Sequence, residues 1–225
     1  MKEQKLLFES GNELAAYAAS LGEIKNVINS AGLSPAMADP EKILRVNALG
    51  TVYINEEFSK VMNSGSVICD VASNSAYILP SFIINKKDYA LADTDEDKFL
   101  KKLLKKSAMP KSDYQKSGFA YSLSKNFVVW YAKKCAFEYG KKGIRVVSLS
   151  PGLIATDMGN LEKEDGGMLI PFSAEERMGK PEELGFAGKT RKEFISEMRQ
   201  IYTLSREREL GVVGIRVSLL PGGTP

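Results

Sequence analysis

The chain has 225 residues, of which 44% are hydrophobic and 26% charged, and its formal net charge at pH 7 is +3. This composition is typical of a single globular domain, and the small net charge argues against a nucleic-acid interface. The sequence contains no histidine, which excludes a Ser-His-Asp triad and His-containing zinc sites. Acid–base chemistry must therefore be carried out by Tyr, Lys, Asp or Glu side chains.

The two cysteines and the apolar pattern indicate the cellular setting. Cys69 and Cys135 lie far apart in apolar stretches, so we expect buried thiols of a reducing compartment, with no disulfide and no metal site. No apolar run is long enough to span a membrane, and "MKEQKLLFES" is too polar for a signal peptide. We expect a cytoplasmic protein with no membrane association.

Predicted helices and short apolar strands alternate along the chain. In chain order they are a helix over 10–22, the strand "IKNVINSAG" (24–32), a helix over 40–62, the strand "GSVICDVAS" (65–73), a helix over about 118–140 and the strand "IRVVSLSPG" (144–152). This alternation of helices with nearly continuous apolar strands predicts an α/β fold with a doubly wound parallel sheet. Ligands bind beyond the carboxyl ends of such strands, where "NSAG", "ASNS" and "SPGLIAT" lie.

Tyr121 and Lys125 lie one helical turn apart in "YSLSK", on one face of the third predicted helix. Such a pair is common on ordinary surface helices, so by itself it indicates no function. The Tyr121–Lys125 pair becomes informative because five other motifs accompany it: "NSAG" (29–32), "VNALGT" (46–51), "GSVICDVAS" (65–73), "SPGLIATDM" (150–158) and "RMGKPEEL" (177–184). Together and in this order, over roughly residues 10–185, these motifs resemble those of the short-chain dehydrogenases/reductases.

The resemblance implies a Rossmann-like sheet and four catalytic residues. Tyr121 would protonate a carbonyl oxygen, and since a free phenol has a pKa near 10, the positive charge of Lys125 would favour the phenolate. Lys125 would also hold the nicotinamide ribose. Ser73 would position the substrate oxygen, although the nearby Ser75 is an alternative. Asn47 would support a water that links the lysine to solvent, unless it merely bonds a neighbouring carbonyl.

The same resemblance implies a binding site for NAD or NADP. Asn29, Ala31 and Gly32 would form the turn that passes close to the cofactor, or only a tight turn between strand and loop. In the loop after the third strand, Pro151 and Gly152 begin the matching motif. There Ile154 and Thr156 would hold the nicotinamide carboxamide, unless Thr156 is simply a helix cap. Tyr121 and Lys125 would also contact the cofactor.

Residues 77–118 form an insertion between Ser73 and Tyr121 that is longer than the family usually has. Its centre, "TDEDKFLKKLLKK", predicts an amphipathic helix capped by Thr94, with acidic residues in its first turn. The insertion is similar to one in the hydroxysteroid dehydrogenase/carbonyl reductase branch. It is expected to be a lid over the substrate or a wall across the usual subunit interface; a membrane-surface helix is the alternative.

Two regions depart from the family pattern. The glycine-rich turn T-G-x-x-x-G-x-G, whose backbone N–H groups hold the pyrophosphate, is not found, so the fold is expected to lack the first βαβ unit. "QKLLFE" (4–9) is expected to be a remnant strand beside the strand at 24–32, and Ser10 a helix cap after it. The segment 186–225 is atypical, and "GVVGIRVSLLPGG" only approximates the family's final strand.

Two functions follow from this mixture of matches and departures. The first is an oxidoreductase that transfers a hydride between NAD or NADP and a small-molecule carbonyl or secondary alcohol, steroid-like among other possibilities, in a homodimer or homo-oligomer. The second is a truncated, non-catalytic relative. In either case the missing phosphate loop predicts weak dinucleotide binding, because each lost charge-assisted hydrogen bond costs roughly 1.5–3 kcal/mol.

Overall fold

A computed structural model describes residues 2–162, 167–172, 175–187 and 215–219 of the chain. The helices in these ranges are α1 (Lys2–Leu21), α2 (Pro40–Leu44), α3 (Gly50–Val61), α4 (Lys86–Tyr89), α5 (Glu96–Ser107), α6 (Asp113–Gly140), α7 (Asp157–Leu161) and α8 (Pro181–Ala187). The strands are β1 (Ile24–Asn29), β2 (Val67–Val71), β3 (Arg145–Leu149) and β4 (Ile215–Leu219). Short 3₁₀ turns cover Asn74–Tyr77, Ala90–Asp93 and Gly167–Phe172.

The described strands form one sheet in the order β3-β2-β1-β4. β1 pairs in parallel with β2, with Ile28 opposite Cys69, and β2 pairs in parallel with β3, with Cys69 opposite Val147. Helices α3 and α6 cross between these strands and pack together. The predicted α/β fold with a parallel sheet is therefore confirmed, and the carboxyl ends of β1, β2 and β3 share one edge.

The edge of β1 is covered by β4, which runs antiparallel to it with Val27 opposite Val217. The segment that only approximated the family's final strand thus does contain a strand, at Ile215–Leu219. Apart from this strand and residues 186–187, the predicted atypical segment 186–225 lies outside the described residues.

The expected strand at 4–9 is wrong, because these residues belong to helix α1, and Ser10 is not a helix cap. Helix α1 continues through Ser10 and Gly11 and packs against α3. Gly11 is buried at this contact, where a Cβ atom would lie 3.7 Å from Cβ of Tyr53. The small size of Gly11 thus allows two helices to approach each other closely.

The long helix predicted over 40–62 is present as α2 and α3, joined by the π-helical stretch Arg45–Leu49. Pro40 occupies the first turn, and Asp39 caps α2 by accepting hydrogen bonds from the N–H groups of Glu41 and Lys42. The π-helical stretch contains Asn47 and widens the helix by one residue at that position.

The predicted cap of the inserted helix is shifted by one residue. Asp95, not Thr94, caps α5, because its Oδ1 accepts the N–H of Lys98 at 3.0 Å. The N–H of Thr94 instead donates to the carbonyl oxygen of Leu91 and so completes the preceding 3₁₀ turn. Two adjacent capping residues therefore have different tasks, which the sequence pattern does not distinguish.

The core joins the inserted segment to α6 through an aromatic cluster centred on Phe127. Its ring lies 5.0 Å from that of Phe99, 5.3 Å from that of Tyr131 and 5.4 Å from that of Tyr89, between ring centroids. Phe99 belongs to α5 and Tyr89 to α4, so both inserted helices contribute to the same core. Burial of such large rings contributes strongly to stability.

The sequence also predicted buried free cysteines and no segment that could span a membrane. Cys69 and Cys135 are buried free thiols, as expected. Within the described ranges, no helix has both the length and the apolar composition needed to cross a membrane.

The position of Phe127 predicts the stability of two variants on the same helix. Phe127 is 0% exposed, whereas Phe137 of α6 is 76% exposed. Phe127→Ala should lower the free energy of unfolding by about 3–5 kcal/mol, because it opens a cavity in the aromatic cluster. The control Phe137→Ala should change it by about 0.5 kcal/mol or less. Urea denaturation measures both values, and similar losses for the two variants would contradict the described core.

Candidate active site

Helix α6 brings Tyr121 and Lys125 to the carboxyl edge of the sheet. The helix begins at Asp113, five residues before the predicted start, because Ser112 and Gln115 form a capping box. Lys125 is 6% exposed, and its ammonium donates a hydrogen bond of 2.8 Å to the carbonyl oxygen of Val71, the last residue of β2. The same Nζ lies 5.7 Å from the centroid of the Tyr121 ring.

Ser73 follows β2 and meets the tyrosine. Its hydroxyl group accepts the N–H of Ser75 at 3.2 Å, donates to Oδ1 of Asn74 at 3.4 Å, and lies close enough to the phenol of Tyr121 to lower the pKa of that group. The competing residue, Ser75, has a buried Oγ with no hydrogen-bond partner among the described residues. Of the two serines, therefore, Ser73 is the one that lies beside the tyrosine.

The protonation of the two α6 residues follows from their burial. Burial raises the pKa of Tyr121; the hydroxyl group of Ser73 lowers it in part, and the charge of Glu162 raises it further. Burial lowers the pKa of Lys125 to about 8, and the nearby charge of Asp70 opposes this change. At neutral pH the phenol is consequently protonated, and the lysine is close to the point at which it loses its charge.

Asn47 joins the loop after β1 to helix α6. Its Oδ1 accepts the N–H of Leu33 at 2.8 Å, and its Nδ2 donates to the carbonyl oxygen of Leu33 at 3.0 Å. The same Nδ2 donates to Oγ of Ser124 at 3.2 Å. These side-chain bonds include one to a carbonyl oxygen, that of Leu33, which was the alternative interpretation; support of a water by Asn47 stays a prediction.

Gly32 lies where the loop after β1 passes the lysine. A Cβ atom at this position would be 3.3 Å from Oδ1 of Asn47 and 3.4 Å from Nζ of Lys125, which is tighter than most real Cβ contacts. The half-buried Ala31 precedes it. The structure thus brings Gly32, Asn47 and Lys125 together at the end of β1.

Asn29 differs from these residues in the direction of its side chain. Its Nδ2 donates to Oγ1 of Thr51 at 3.2 Å and to Oδ1 of Asp70 at 3.1 Å, inside the protein. Asp70 also accepts two hydrogen bonds of 3.0 Å from Nδ2 of Asn55. The side chain of Asn29 therefore belongs to a buried polar network beneath the site, and the predicted cofactor contact could involve only its backbone.

The loop after β3 lies beside the turn that begins at Ser73. The carbonyl oxygen of Pro151 accepts the N–H of Asn74 at 2.7 Å, and a Cβ at Gly152 would lie 3.6 Å from Nδ2 of Asn74. Ile154 forms a parallel bridge with Gly179, which connects the loop to the "RMGKPEEL" segment. Thr156 caps α7 by accepting the N–H of Gly159 at 3.1 Å, which was its alternative role; its contact with a carboxamide stays a prediction.

Two acidic residues near the site were not recognised from the sequence. Asp70 is a charged residue inside the apolar strand "VICDV", and the sequence alone could have indicated its importance for this reason. Glu162 accepts the hydroxyl of Tyr114 at 2.8 Å and the N–H of Ala36 at 3.0 Å, and its charge reaches Tyr121. Nothing in the local sequence of Glu162 indicates these distant contacts.

Comparisons with known proteins agree with this arrangement. A family profile described as short chain dehydrogenase matches residues 107–166, which include Tyr121, Lys125 and the loop after β3. The chain is 31% identical over 153 residues to the short-chain dehydrogenase/reductase bsc3 of Alternaria brassicicola. That match covers 68% of this chain and 54% of the relative. The profile, this relative and the fold together support the short-chain dehydrogenase/reductase family.

Solved structures of this family have a similar fold. The 3-alpha-hydroxysteroid dehydrogenase from Pseudomonas sp. B-0831, complexed with NADH, matches with a TM-score of 0.62 and 16% identity, over 88% of this chain and 74% of that chain. A short chain dehydrogenase from Burkholderia cenocepacia in complex with NADP matches with a TM-score of 0.55 and 16% identity, over 80% of this chain and 62% of that chain. The chain spans about half the length of the curated relative bsc3.

The hydrogen bonds of Asn47 predict the effect of removing them. Asn47→Ala should lower the free energy of unfolding by about 1–3 kcal/mol, because it leaves the buried N–H and carbonyl groups of Leu33 without these partners. The amide of Leu33 should also exchange faster with deuterium. Asn63→Ala, which removes an exposed bond to Glu23, is the control and should change neither quantity appreciably. Unchanged exchange at Leu33 would contradict the described contact.

Proposed function

We propose that the chain is an oxidoreductase that transfers a hydride between NAD or NADP and a carbonyl or secondary alcohol. The observation that carries the proposal is the meeting of Ser73, Tyr121 and Lys125 at the carboxyl edge of a parallel sheet, with Gly32 and Asn47 beside them. Family members with NADH or NADP bound share the fold, which supports this choice of cofactor.

The described residues suit the nicotinamide half of such a cofactor. The absence of a Cβ at Gly32 leaves room beside the lysine. Among the described contacts, Nζ of Lys125 uses one of its three N–H groups, on Val71, so two remain for ribose hydroxyl groups. Thr156 and the backbone of Ile154 would hold the carboxamide. The bound cofactor would supply or accept the hydride.

The residues of the chain would then control the proton. Because burial keeps the phenol of Tyr121 protonated, it would donate its proton to the substrate oxygen as the hydride arrives at the carbon. Ser73, which lies beside the same phenol, would orient that oxygen. The positive charge of Lys125 would stabilise the phenolate that remains, and Asn47 would support a water that relays a proton from solvent. In the oxidative direction the same phenolate would act as the base.

The substrate is proposed to be bulky and apolar, with steroid-like ketones as the first class to try. The segment that follows Ser73 exposes three large apolar side chains, of which Phe82 is 84% exposed and Tyr77 and Ile78 are about two-thirds exposed. Apolar surface of this kind near a site is typical of apolar ligands. The matching 3-alpha-hydroxysteroid dehydrogenase supports the same class.

The inserted segment 77–118 is proposed to have two parts with different tasks. Helix α5 buries Phe99, Leu100 and Leu103 and packs on α6, which suits a fixed wall. The mostly exposed stretch 78–85 suits a lid over the substrate. A wall on α6 would also direct assembly of a homo-oligomer to another face of the molecule.

A non-catalytic relative is the second candidate function, favoured by one observation. The glycine-rich turn that would hold the cofactor phosphates is not in the sequence. Fluorescence titration of the 225-residue chain with NADH and NADPH distinguishes the two candidates. Saturable binding favours the enzyme, whereas binding of neither nucleotide favours the non-catalytic relative.

Replacement of the tyrosine tests the proposed chemistry. Tyr121→Phe should reduce turnover of bulky ketones by about 100-fold or more, because it removes the acidic proton, while NADH binding changes little. The control Tyr139→Phe, at the far end of the same helix, should keep most of the activity. If Tyr121→Phe retained more than about a tenth of the wild-type rate, the tyrosine would not be the acid.

Hydrogen exchange tests the division of the insertion. In the free protein the amides of α5 should exchange slowly, because the helix is packed on the core, while those of residues 78–85 should exchange quickly. Addition of cofactor and a bulky ketone should slow exchange at 78–85. Fast exchange throughout α5 would argue against the wall, and no change at 78–85 would argue against the lid.

A further inference from the structure

A buried carboxylate lies beneath the site and is not used in the proposed chemistry. Asp70 is 0% exposed and occupies β2, one residue before the carbonyl group that holds Lys125. Its two oxygens accept hydrogen bonds from Asn29 at 3.1 Å and from Asn55 at 3.0 Å. Both donors are neutral amides, which solvate a carboxylate but leave its charge in place.

The groups that face Asp70 leave one candidate for the balancing charge. From its own strand comes Cys69, and α6 contributes Cys135 and Lys125. Burial raises the pKa of each cysteine to about 12, so both stay neutral thiols. The side chains from β1 and α3 that bond Asp70 are the uncharged Asn29 and Asn55, and its register neighbour on β3 is the uncharged Ser148.

The buried charge of Lys125 also requires a nearby charge of opposite sign. A buried ammonium without a counter-charge loses its proton several pH units below its ordinary pKa. Burial lowers the pKa of Lys125 to about 8, with Asp70 acting in the opposite direction, and burial raises the pKa of Asp70 to about 7, with Lys125 acting in the opposite direction. Each group therefore favours the charged form of the other.

We propose that Asp70 is a positioning residue whose carboxylate, on the residue next to Val71, keeps Lys125 protonated and directed at the carbonyl of Val71. Asn29 and Asn55 hold the carboxylate in place from β1 and α3. The consequence for turnover rests on the proposed function, because only there does the lysine hold a ribose and stabilise a phenolate. The coupling between the two charges does not depend on any reaction.

The variant Asp70→Asn tests the coupling with nearly unchanged shape. In protein labelled with ¹³C-lysine, the Cε resonance of Lys125, assigned with Lys125→Arg, reports its titration. Removal of the negative charge should lower the pKa of Lys125 by about one unit or more. The control is Asp88→Asn, which removes another buried aspartate, paired with Lys106 in the insertion, and should leave the Lys125 titration unchanged.

The activity profile provides the second measurement. Turnover that requires protonated Lys125 is present below its pKa and is lost above it, so Asp70→Asn should move the alkaline loss of kcat/KM to lower pH by the same amount. The KM for the cofactor should rise near neutral pH and recover at lower pH. A merely structural role would lower stability and leave both the NMR titration and the pH profile in place, and that result would overturn the proposal.

A reciprocal experiment covers the case in which Asp70→Asn does not fold. In ¹³C-aspartate-labelled protein, Lys125→Met should raise the pKa of Asp70, because the positive charge that favours the carboxylate is lost. An unchanged Asp70 titration would overturn the coupling. If no ketone is reduced under any condition, the proposed function fails, but both NMR titrations still decide whether Asp70 and Lys125 are coupled.

Discussion

The candidate site depends on holding an ammonium group in the interior of the protein. Burial of a charge is costly unless the charge is hydrogen-bonded and balanced, and Lys125 meets the first condition through the carbonyl group of Val71. That carbonyl belongs to the last residue of β2, one position beyond the final β1–β2 register pair of Asn29 with Asp70. The end of a parallel strand thus serves as an acceptor for a helix side chain, which ties the position of α6 to that of the sheet.

Several neighbouring features follow from this placement. Gly32 leaves space for the ammonium, and Asn47 holds the loop that contains Gly32 through both backbone groups of Leu33. The π-helical stretch carries Asn47 at the junction of α2 and α3. Single-turn π-helical stretches are often found at functional sites, and here the extra residue lies where an amide side chain joins the β1 loop to α6.

The sequence predicted the parts of the fold that depend on local patterns. The order of β1, α2–α3, β2, α6 and β3 was recognisable because apolar periodicity and turn residues act over a few positions. The juxtaposition of Ser73, Tyr121 and Lys125 was implied by the resemblance to the short-chain dehydrogenases/reductases, and the carboxyl edge of a parallel sheet is where such a site is expected. Asp70 was also visible, as a charge inside an apolar strand, but its importance lies in the approach of Lys125 from a distant helix.

The errors arose where the outcome depends on distant residues. Helix α1 passes through Ser10 and Gly11 because α3 packs against it there, and no local pattern around residue 10 reveals that neighbour. Similarly, the contacts of Glu162 with Tyr114 and Ala36 join three separate parts of the chain. Hydrogen-bond partners of this kind become evident only when the tertiary structure is known.

The antiparallel pairing of β4 with β1 has a consequence for synthesis of the protein. Almost the whole length of the chain separates the two strands, since β1 is Ile24–Asn29 and β4 is Ile215–Leu219. While the chain emerges from a ribosome, β1 can already pair with β2, but its other edge has no β4 to bind. That edge is open to strands of other nascent chains until β4 arrives. Protection of the growing chain by a chaperone would matter most during this interval, and slow translation would prolong it.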